Sequence, residues 1–302
     1  MKAKCTQENK TIGSIAIVIL NYNNAEDTIE CVESIKLIDD LPLVILIVDN
    51  GSDDDCIARL QSIEAHNIIL LKNGANIGYA AGNNVGITYA VHHGAEFIFI
   101  LNNDVVVNRN SIQECVNALQ RDSGIGIVGP AILDYKTDRI QSTGANINLI
   151  KLTASFINHG KKYVPSHTMI ECDYVGGACM AFRSSLPGII GDIPEAYFLF
   201  WEESEWCLKA KKYGLKVVSI LDTSVFHKGS ATINKISGLS NYYMERNKIV
   251  FAKRNIPGYL PRIYAIVRLF VRAAVKGFQQ RYYWKYIGYY CDGLRGVTRR
   301  NY

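Results

Sequence analysis

Short apolar runs without alternation punctuate the first hundred residues. Residues 15–20 (IAIVIL), 43–48 (LVILIV) and 96–101 (EFIFIL) are the clearest. Continuous hydrophobicity fits strands buried on both faces, as in a parallel sheet covered by helices. Residues 68–71 add a shorter run of the same kind. Between the runs the spacing becomes helical. Ile29, Val32, Ile35 and Ile38 recur within 25–38, and Ile57, Leu60 and Ile63 within 53–63. Asn24 is placed to cap the first of these helices, with Glu26 and Asp27 in its first turn. Residues 78–91 and 111–119 read as two more helices. Strand and helix alternate across short loops, which predicts an open, mostly parallel α/β sheet with flanking helices.

After Asp122 the rhythm changes. Residues 125–128, 131–133 and 216–221 read as strands, and 175–182 (VGGACMAF) as a compact apolar one. The stretch 136–166 is polar and weakly patterned. Helices are expected over 205–213 and 242–254. Over 259–278, Ile263, Val267, Phe270, Val271 and Val275 alternate with Arg262, Arg268, Arg272 and Lys276. The expected organisation is an α/β half at 12–122, a second half of the same domain at 123–256, and a basic, aromatic helical extension at 257–302.

Charge modifies this picture only at the end of the chain. Thirty-three Lys and Arg against 28 Asp and Glu leave +5, mild for a nucleic-acid binder. From Arg246 onward the only acid is Asp292, so the excess belongs to the tail. That tail suits an anionic bilayer surface, or simply packs on the domain before it. The eight cysteines are scattered without a C-x-x-C pair, which argues against zinc. Residues 1–11 are polar and 15–20 are too short for a signal peptide's apolar region. No run approaches the length of a spanning helix, so a reduced, intracellular chain is expected.

The candidate chemistry sits where ligands bind in such sheets, beyond the carboxyl ends of the strands. Asn21-Tyr22-Asn23, Asp49-Asn50-Gly51-Ser52 and Asn102-Asn103-Asp104 each follow a strand and should line one crevice. Asp49 could accept from a pyrimidine N–H, or be a turn residue. Asn102 and Asp104 offer oxygen ligands suited to Mg²⁺ or Mn²⁺, or a polar turn. Residues 76–84 (NIGYAAGNN) add small residues that allow close backbone approach, without matching a dinucleotide fingerprint. Residues 197–206 (YFLFWEESEW) set three carboxylates among aromatics. Such carboxylates tend toward a raised pKa and suit a general base, though an acidic first helical turn has the same composition. His227 is either structural or part of a metal or diphosphate site.

Together these motifs resemble family 2 glycosyltransferases with the GT-A fold, particularly the rhamnosyltransferase-like branch. The matching segments are IVILNYN at 17–23, VDNGS at 48–52, NIGYAAGN at 76–83, LNND at 101–104, and FxWEESEWCxK at 198–209 with FH at 226–227. They are individually short, and they occur in the family's order across 15–228.

The resemblance implies an inverting transfer from a nucleotide-diphosphate sugar, such as dTDP-rhamnose or a UDP-sugar. The acceptor would be a glycan or lipid-linked hydroxyl in bacterial surface polysaccharide synthesis, in the cytoplasm or at the inner face of the cell membrane. Asn21, Asn23, Asp49, Gly51, Asn76, Gly82 and Asn103 would bind the nucleotide. Asp104, with Asn102 and His227, would bind Mg²⁺ or Mn²⁺. Glu203 would be the base, with Glu202 beside it. Trp201, Gly176, Gly177 and Glu205 would border the acceptor and sugar, with Tyr197, Phe198 and Phe200 stacking alongside Trp201. Two departures stand out. Asn102 replaces the first aspartate of the usual Asp-x-Asp, and Glu203 and Glu205 replace both aspartates of Glu-Asp-x-Asp. An extra methylene displaces a carboxylate by about a bond length, and errors near 1 Å matter in catalysis. A catalytically degenerate nucleotide- or glycan-binding subunit is therefore the alternative. A nucleotidyltransferase would need a basic Gly-rich loop after the first strand, which 21–24 is not.

Overall fold

The computed structural model describes residues 14–38, 40–63, 66–229 and 238–298. The expectations for residues 1–11, Cys5 and the last four positions of the tail lie outside them. The first half alternates as its pattern requires: β1 (Ile15–Asn21), α1 (Ala25–Lys36), β2 (Leu43–Asp49), α2 (Asp54–Gln61), β3 (Ile68–Lys72), α3 (Tyr79–His92) and β4 (Phe97–Asn102). Then come β5 (Val105–Val107), α4 (Ser111–Arg121), β6 (Ile125–Asp134), β7 (Ile140–Ser142), β8 (Ala145–Asn148), β9 (Thr153–Phe156) and β10 (Met169–Glu171). The remainder is β11 (Cys179–Arg183), α5 (Leu186–Ile190), α6 (Glu202–Lys212), β12 (Lys216–His227), α7 (Leu239–Asn255), α8 (Tyr259–Gln279) and α9 (Trp284–Arg295).

One mixed sheet crosses both halves in the order β10-β12-β6-β11-β4-β1-β2-β3, with β5 on β12 and β7 on β6. Strands β3, β2, β1 and β4 are parallel. β11 enters antiparallel between β4 and β6. The apolar runs are continuous because alternate residues feed two cores. Ile15, Ile17, Ile19, Ile45 and Phe99 meet α1 and α4 on one face. Ala16, Val18, Leu46 and Ile100 meet α3 and α6 on the other. A third cluster joins Tyr197 and Trp201 to α7, α8 and α9.

Three local readings change. Residues 125–134 form one strand rather than two, running through Pro130. Proline donates nothing to the ladder, and the pairing with β12 shifts register just past it, between Ile220 and Ser224. β12 therefore continues to His227 instead of stopping at Leu221. β11 begins only at Cys179. Residues 175–178 instead form a turn closed by the Cys179 N–H on the Gly176 carbonyl (3.3 Å), and this puts Gly176 and Gly177 at a strand entrance.

Asn24 does not cap α1 with its side chain. Its amide donates to Asp27 Oδ2 (2.6 Å) instead.

Candidate functional site

A cleft opens beyond the carboxyl ends of β1, β2 and β4, beside the switch in strand order that such sheets use for ligands. Its walls are Leu20 from the end of β1, Tyr22 and Asn24 from the first loop, Asn50 from the second, and Asn76, Gly78 and Tyr79 at the start of α3. Asn102, Asn103 and Asp104 follow β4, and Phe198, Leu199 and Leu239 close the other side. All three strand-end clusters and the 76–84 segment thus meet in one crevice.

Asn21 and Asp49 lie beneath it, fully buried. The Asn21 amide donates to Asp49 Oδ1 (3.0 Å), and the Thr28 hydroxyl donates to Asn21 Oδ1 (2.9 Å). The other Asp49 oxygen accepts from the Gly51 and Ser52 N–H groups (3.2 and 3.1 Å). Both side chains shape loops through internal bonds. Asn23 is exposed, and its Oδ1 accepts from the Asp53 N–H (2.9 Å), tying the first loop to the second. Asn50, which carried no distinguishing signal in the sequence, stitches the third. Its amide donates to Asn76 Oδ1 and the Gly78 carbonyl, while its oxygen accepts from Asn73 and from the Ile77 N–H.

Two glycines of the nucleotide set serve packing. A Cβ on Gly82 would stand 2.4 Å from Leu20 Cδ1, so the close approach it permits is helix to strand. Gly51, at φ +84, brings its loop against the Ala75 backbone, which would lie 2.5 Å from a Cβ.

Asp104 and His227 come together through strand register. β5 runs antiparallel to β12 with His227 opposite Val105, the neighbour of Asp104. His227 Nε2 lies 3.2 Å from Asp104 Oδ1, off the hydrogen-bond direction, and has no hydrogen-bond partner among the described residues. The tautomer follows from Gln141. Its amide N–H₂ is committed to the His227 carbonyl (3.0 Å), so Oε1 faces Nδ1 (2.8 Å) and Nδ1 carries the proton. In the neutral ring Nε2 then presents a lone pair to a carboxylate oxygen. A cation between them would satisfy both, and an outer partner that fixes a histidine's orientation is the usual companion of a metal ligand. Among the described residues no third His, Cys, Asp or Glu joins them. Two protein ligands suit Mg²⁺ or Mn²⁺ shared with phosphate oxygens and water. Asn103 donates to Thr28 Oγ1 (3.0 Å), and Asn102 Oδ1 lies 3.3 Å from the Tyr79 hydroxyl.

The three acids at the start of α6 have separate environments. Glu202 is buried, and its Oε1 accepts from the Phe200 N–H (3.0 Å). Burial and then the Glu203 charge push it well above the ordinary carboxylate range. Glu203 is half-buried, its Oε2 is enclosed without a partner among the described residues, and burial raises its carboxyl too. Its Oε1 occupies the space a side chain on Gly177 would need, 2.5 Å from where a Cβ would stand. Glu205 points away from the cleft. Burial pushes it up, but bonds from Arg254 (2.7 Å), Tyr197 and Asn255 prevail and hold it below the ordinary range.

Tyr79 sits where these groups converge. Its hydroxyl is 2.9 Å from the Gly177 carbonyl, and burial followed by the charges of Glu203, Glu202 and Asp104 keeps it protonated. The NIGYAAGN segment contained this residue, but nothing in its spacing marked it.

Of the four aromatics, Phe198 lines the cleft and stacks on Tyr243 (5.1 Å). Tyr197 and Trp201 are buried against α7, and Trp201 packs on Phe251 (4.8 Å). Phe200 is half-buried. The segment is bent sharply: Phe198, Phe200 and Trp201 all have positive φ (69°, 69° and 79°). Two buried neighbours on α7 hold it. Arg246 Nη1 donates to the Tyr197 carbonyl (3.0 Å), and the Asn247 amide reaches the carbonyls of Leu199 (2.6 Å) and Phe200 (2.8 Å). Gly176 is packed against Ile132, whose Cδ1 lies 2.6 Å from a Cβ position.

Residues 16–186 match the family described as Glycosyl transferase family 2. The chain belongs to that family. Among curated relatives, the family 2 chain is 23% identical over 252 residues to the low-salt glycan biosynthesis hexosyltransferase Agl10 of Haloferax volcanii, covering 82% of this chain and 78% of the relative. It is 25% identical over 272 residues to the dTDP-rhamnosyl transferase RfbF of Shigella flexneri, covering 84% and 87%. The chain is thus a glycosyltransferase of the rhamnosyltransferase-like branch. Solved structures similar to it include the mannosyltransferase PcManGT of Pyrobaculum calidifontis with GDP-Man and Mn²⁺ (TM-score 0.58, 14% identity, 96% of this chain and 90% of that one). GalNAc-T7 with UDP, GalNAc and Mn²⁺ gives TM-score 0.58 at 12% identity over 84% of this chain, which spans only 54% of GalNAc-T7. At such identity these establish the GT-A fold.

Proposed function

We propose that this glycosyltransferase moves a sugar from a nucleotide-diphosphate donor, dTDP-rhamnose or a UDP-sugar, to a hydroxyl of a glycan or lipid-linked acceptor with inversion. The observation that carries this reading is the contrast between adjacent acids. Each keeps one enclosed oxygen without a partner among the described residues, but Glu202 is fully buried with its other oxygen on the Phe200 N–H, whereas Glu203 is half-buried and its other oxygen faces Gly177. Burial raises both carboxyls, and Glu203, the half-buried member of the pair, is the one placed to meet an acceptor. Glu203 then takes the proton of the acceptor hydroxyl. The acceptor oxygen bonds to the anomeric carbon as that carbon's bond to the diphosphate oxygen breaks, and the nucleoside diphosphate leaves. Asp104 and His227 would hold Mg²⁺ or Mn²⁺, which supplies positive charge to the departing diphosphate. Gly177 gives a glutamate the room that its longer side chain needs.

On this reading Asn50 and Asn76, with Tyr22 and Asn103, face the nucleotide, while Asn21, Asp49, Gly51 and Gly82 hold the walls that present them. Glu205 and Trp201 act through the loop they anchor.

The test combines binding with turnover. UDP, dTDP and GDP, each with and without Mn²⁺, are screened by thermal denaturation. A ligand at a hundredfold its Kd stabilises the folded state by about 2.7 kcal/mol. One nucleotide class should shift the melting temperature in a Mn²⁺-dependent way. Asp104→Asn should remove the Mn²⁺ dependence. Glu203→Gln should keep the shift and abolish transfer; near-wild-type turnover in that variant would remove Glu203 as the base.

A further inference from the structure

Helix α8 is apolar on two opposite faces. Ala265, Leu269, Ala273 and Gly277 form one face and are buried against the helical layer of α7 and α9. On the other side Leu260, Tyr264, Val267, Val271, Val275 and Phe278 recur at intervals of three and four residues, and all are exposed. Leu260 is 76% and Phe278 84% accessible. At 1.5 Å per residue the stripe is about 27 Å long, five helical turns. An unbroken exposed apolar stripe of that length marks an interaction surface.

The surrounding charge identifies the partner. Arg268, Arg272 and Lys276 lie along one flank of the stripe at i, i+4, i+8. None of them makes an ion pair among the described residues. Arg281 and Lys285 follow at its end, and Lys285 lies over the Tyr282 ring (4.5 Å). The nearest acid in sequence, Asp292, accepts from Tyr242 on the inner side of α9. A second copy of this chain docked stripe to stripe would bring these flanking cations toward one another. An anionic lipid surface supplies both a medium for the apolar stripe and counter-charge for its flank. No described helix is long and apolar enough to cross a membrane, so the helix would lie in the interface plane.

We propose that the outer face of α8 seats this protein on an anionic lipid surface. The inner face of the same helix packs in the cluster that also contains Tyr197 and Trp201, so the seated helix is one layer from the acidic loop.

The full chain is sedimented with vesicles of equimolar phosphatidylglycerol and phosphatidylcholine, and with pure phosphatidylcholine. It should pellet with the first, lose that binding as salt rises, and stay largely free with the second. Arg268→Gln, Arg272→Gln and Lys276→Gln together should weaken anionic binding about a hundredfold. Val267→Glu with Val271→Glu should abolish it while the nucleotide-dependent thermal shift is kept, which also shows that the variant is folded. Failure of the wild-type chain to pellet, or equal pelleting of the Val267/Val271 variant, would overturn the proposal. So would a dimer in light scattering that the same two substitutions convert to monomer, because the stripe would then be a protein interface. Vesicle binding requires no sugar transfer, so its failure would leave the reading of the cleft intact.

Discussion

Asn247 is the most informative single position to perturb. It touches no pocket residue's reactive atom, yet its two amide hydrogens serve carbonyls in the segment that delivers Glu202 and Glu203. Three non-glycine residues there hold positive φ, each costing on the order of 1–3 kcal/mol. The conformation therefore persists only while its carbonyls are held. Asn247→Ala removes the amide's bonds to the Tyr197, Leu199 and Phe200 carbonyls, a loss of about 2–4 kcal/mol. At roughly 2–4 °C per kcal/mol, the melting temperature should drop by about 5–15 °C. The relaxed segment displaces Glu203, and a shift of about 1 Å costs on the order of a hundredfold in turnover. Asn247→Asp is nearly isosteric but places an acceptor against carbonyls, so it should be no better. Leu119→Ala, in the core on the far side of the sheet, serves as the control for instability alone, at about 2–5 kcal/mol. Turnover is measured well below each variant's melting temperature. If Asn247→Ala melts lower but keeps the wild-type kcat, or if Leu119→Ala loses kcat equally, Asn247 does not position the acid.

The other expectations concern the acids directly. Glu203 must be ionised to accept a proton, and its pKa is raised by burial. Turnover should therefore fall as pH drops through a value above the ordinary carboxylate range. An acid limb at or below that range would refute the assignment. The folded chain binds the Glu202–Glu203 protons more tightly than the unfolded chain does, so stability is lost as pH rises from the ordinary carboxylate range through the raised folded values. Glu203→Gln should thus raise the melting temperature, by more at alkaline than at acid pH, because a neutral amide replaces a carboxylate whose charge burial penalises. Gly177→Ala places a methyl 2.5 Å from Glu203 Oε1. Turnover should drop about a hundredfold while the nucleotide-induced thermal shift is unchanged; a normal kcat would show that the carboxylate moves aside freely.

The alternation of strands and helices was legible from residues 15–119 because each element there is apolar in its own period. The crevice was legible because a parallel sheet places all its strand ends on one edge, so Asn21, Asp49 and Asn102 had to gather there. The sequence could not distinguish a residue that lines that edge from one beneath it. Asn21, Asp49 and Asn50 are all buried, yet only Asn50 borders the cleft, together with half-buried Tyr22. Neighbours on a turning backbone point in different directions, and composition carries no record of which way.

Motif content and chain order determined the family and the kind of chemistry. Tertiary structure decided the rest through contacts between positions far apart in the chain. Asp104 meets His227 only because β12 runs past Pro130 and pairs with β5 in one register. Glu202, Glu203 and Glu205 form one acidic run in sequence, yet Glu202 meets a backbone N–H, Glu203 lies against Gly177 and Glu205 pairs with an arginine. Helical spacing put an apolar stripe on α8, but only the packing of Ala265, Leu269 and Ala273 determined which side stayed exposed. A carboxylate's pKa and a helix's free face both depend on what lies within a few ångströms, and that is set by the fold rather than by neighbours in the chain.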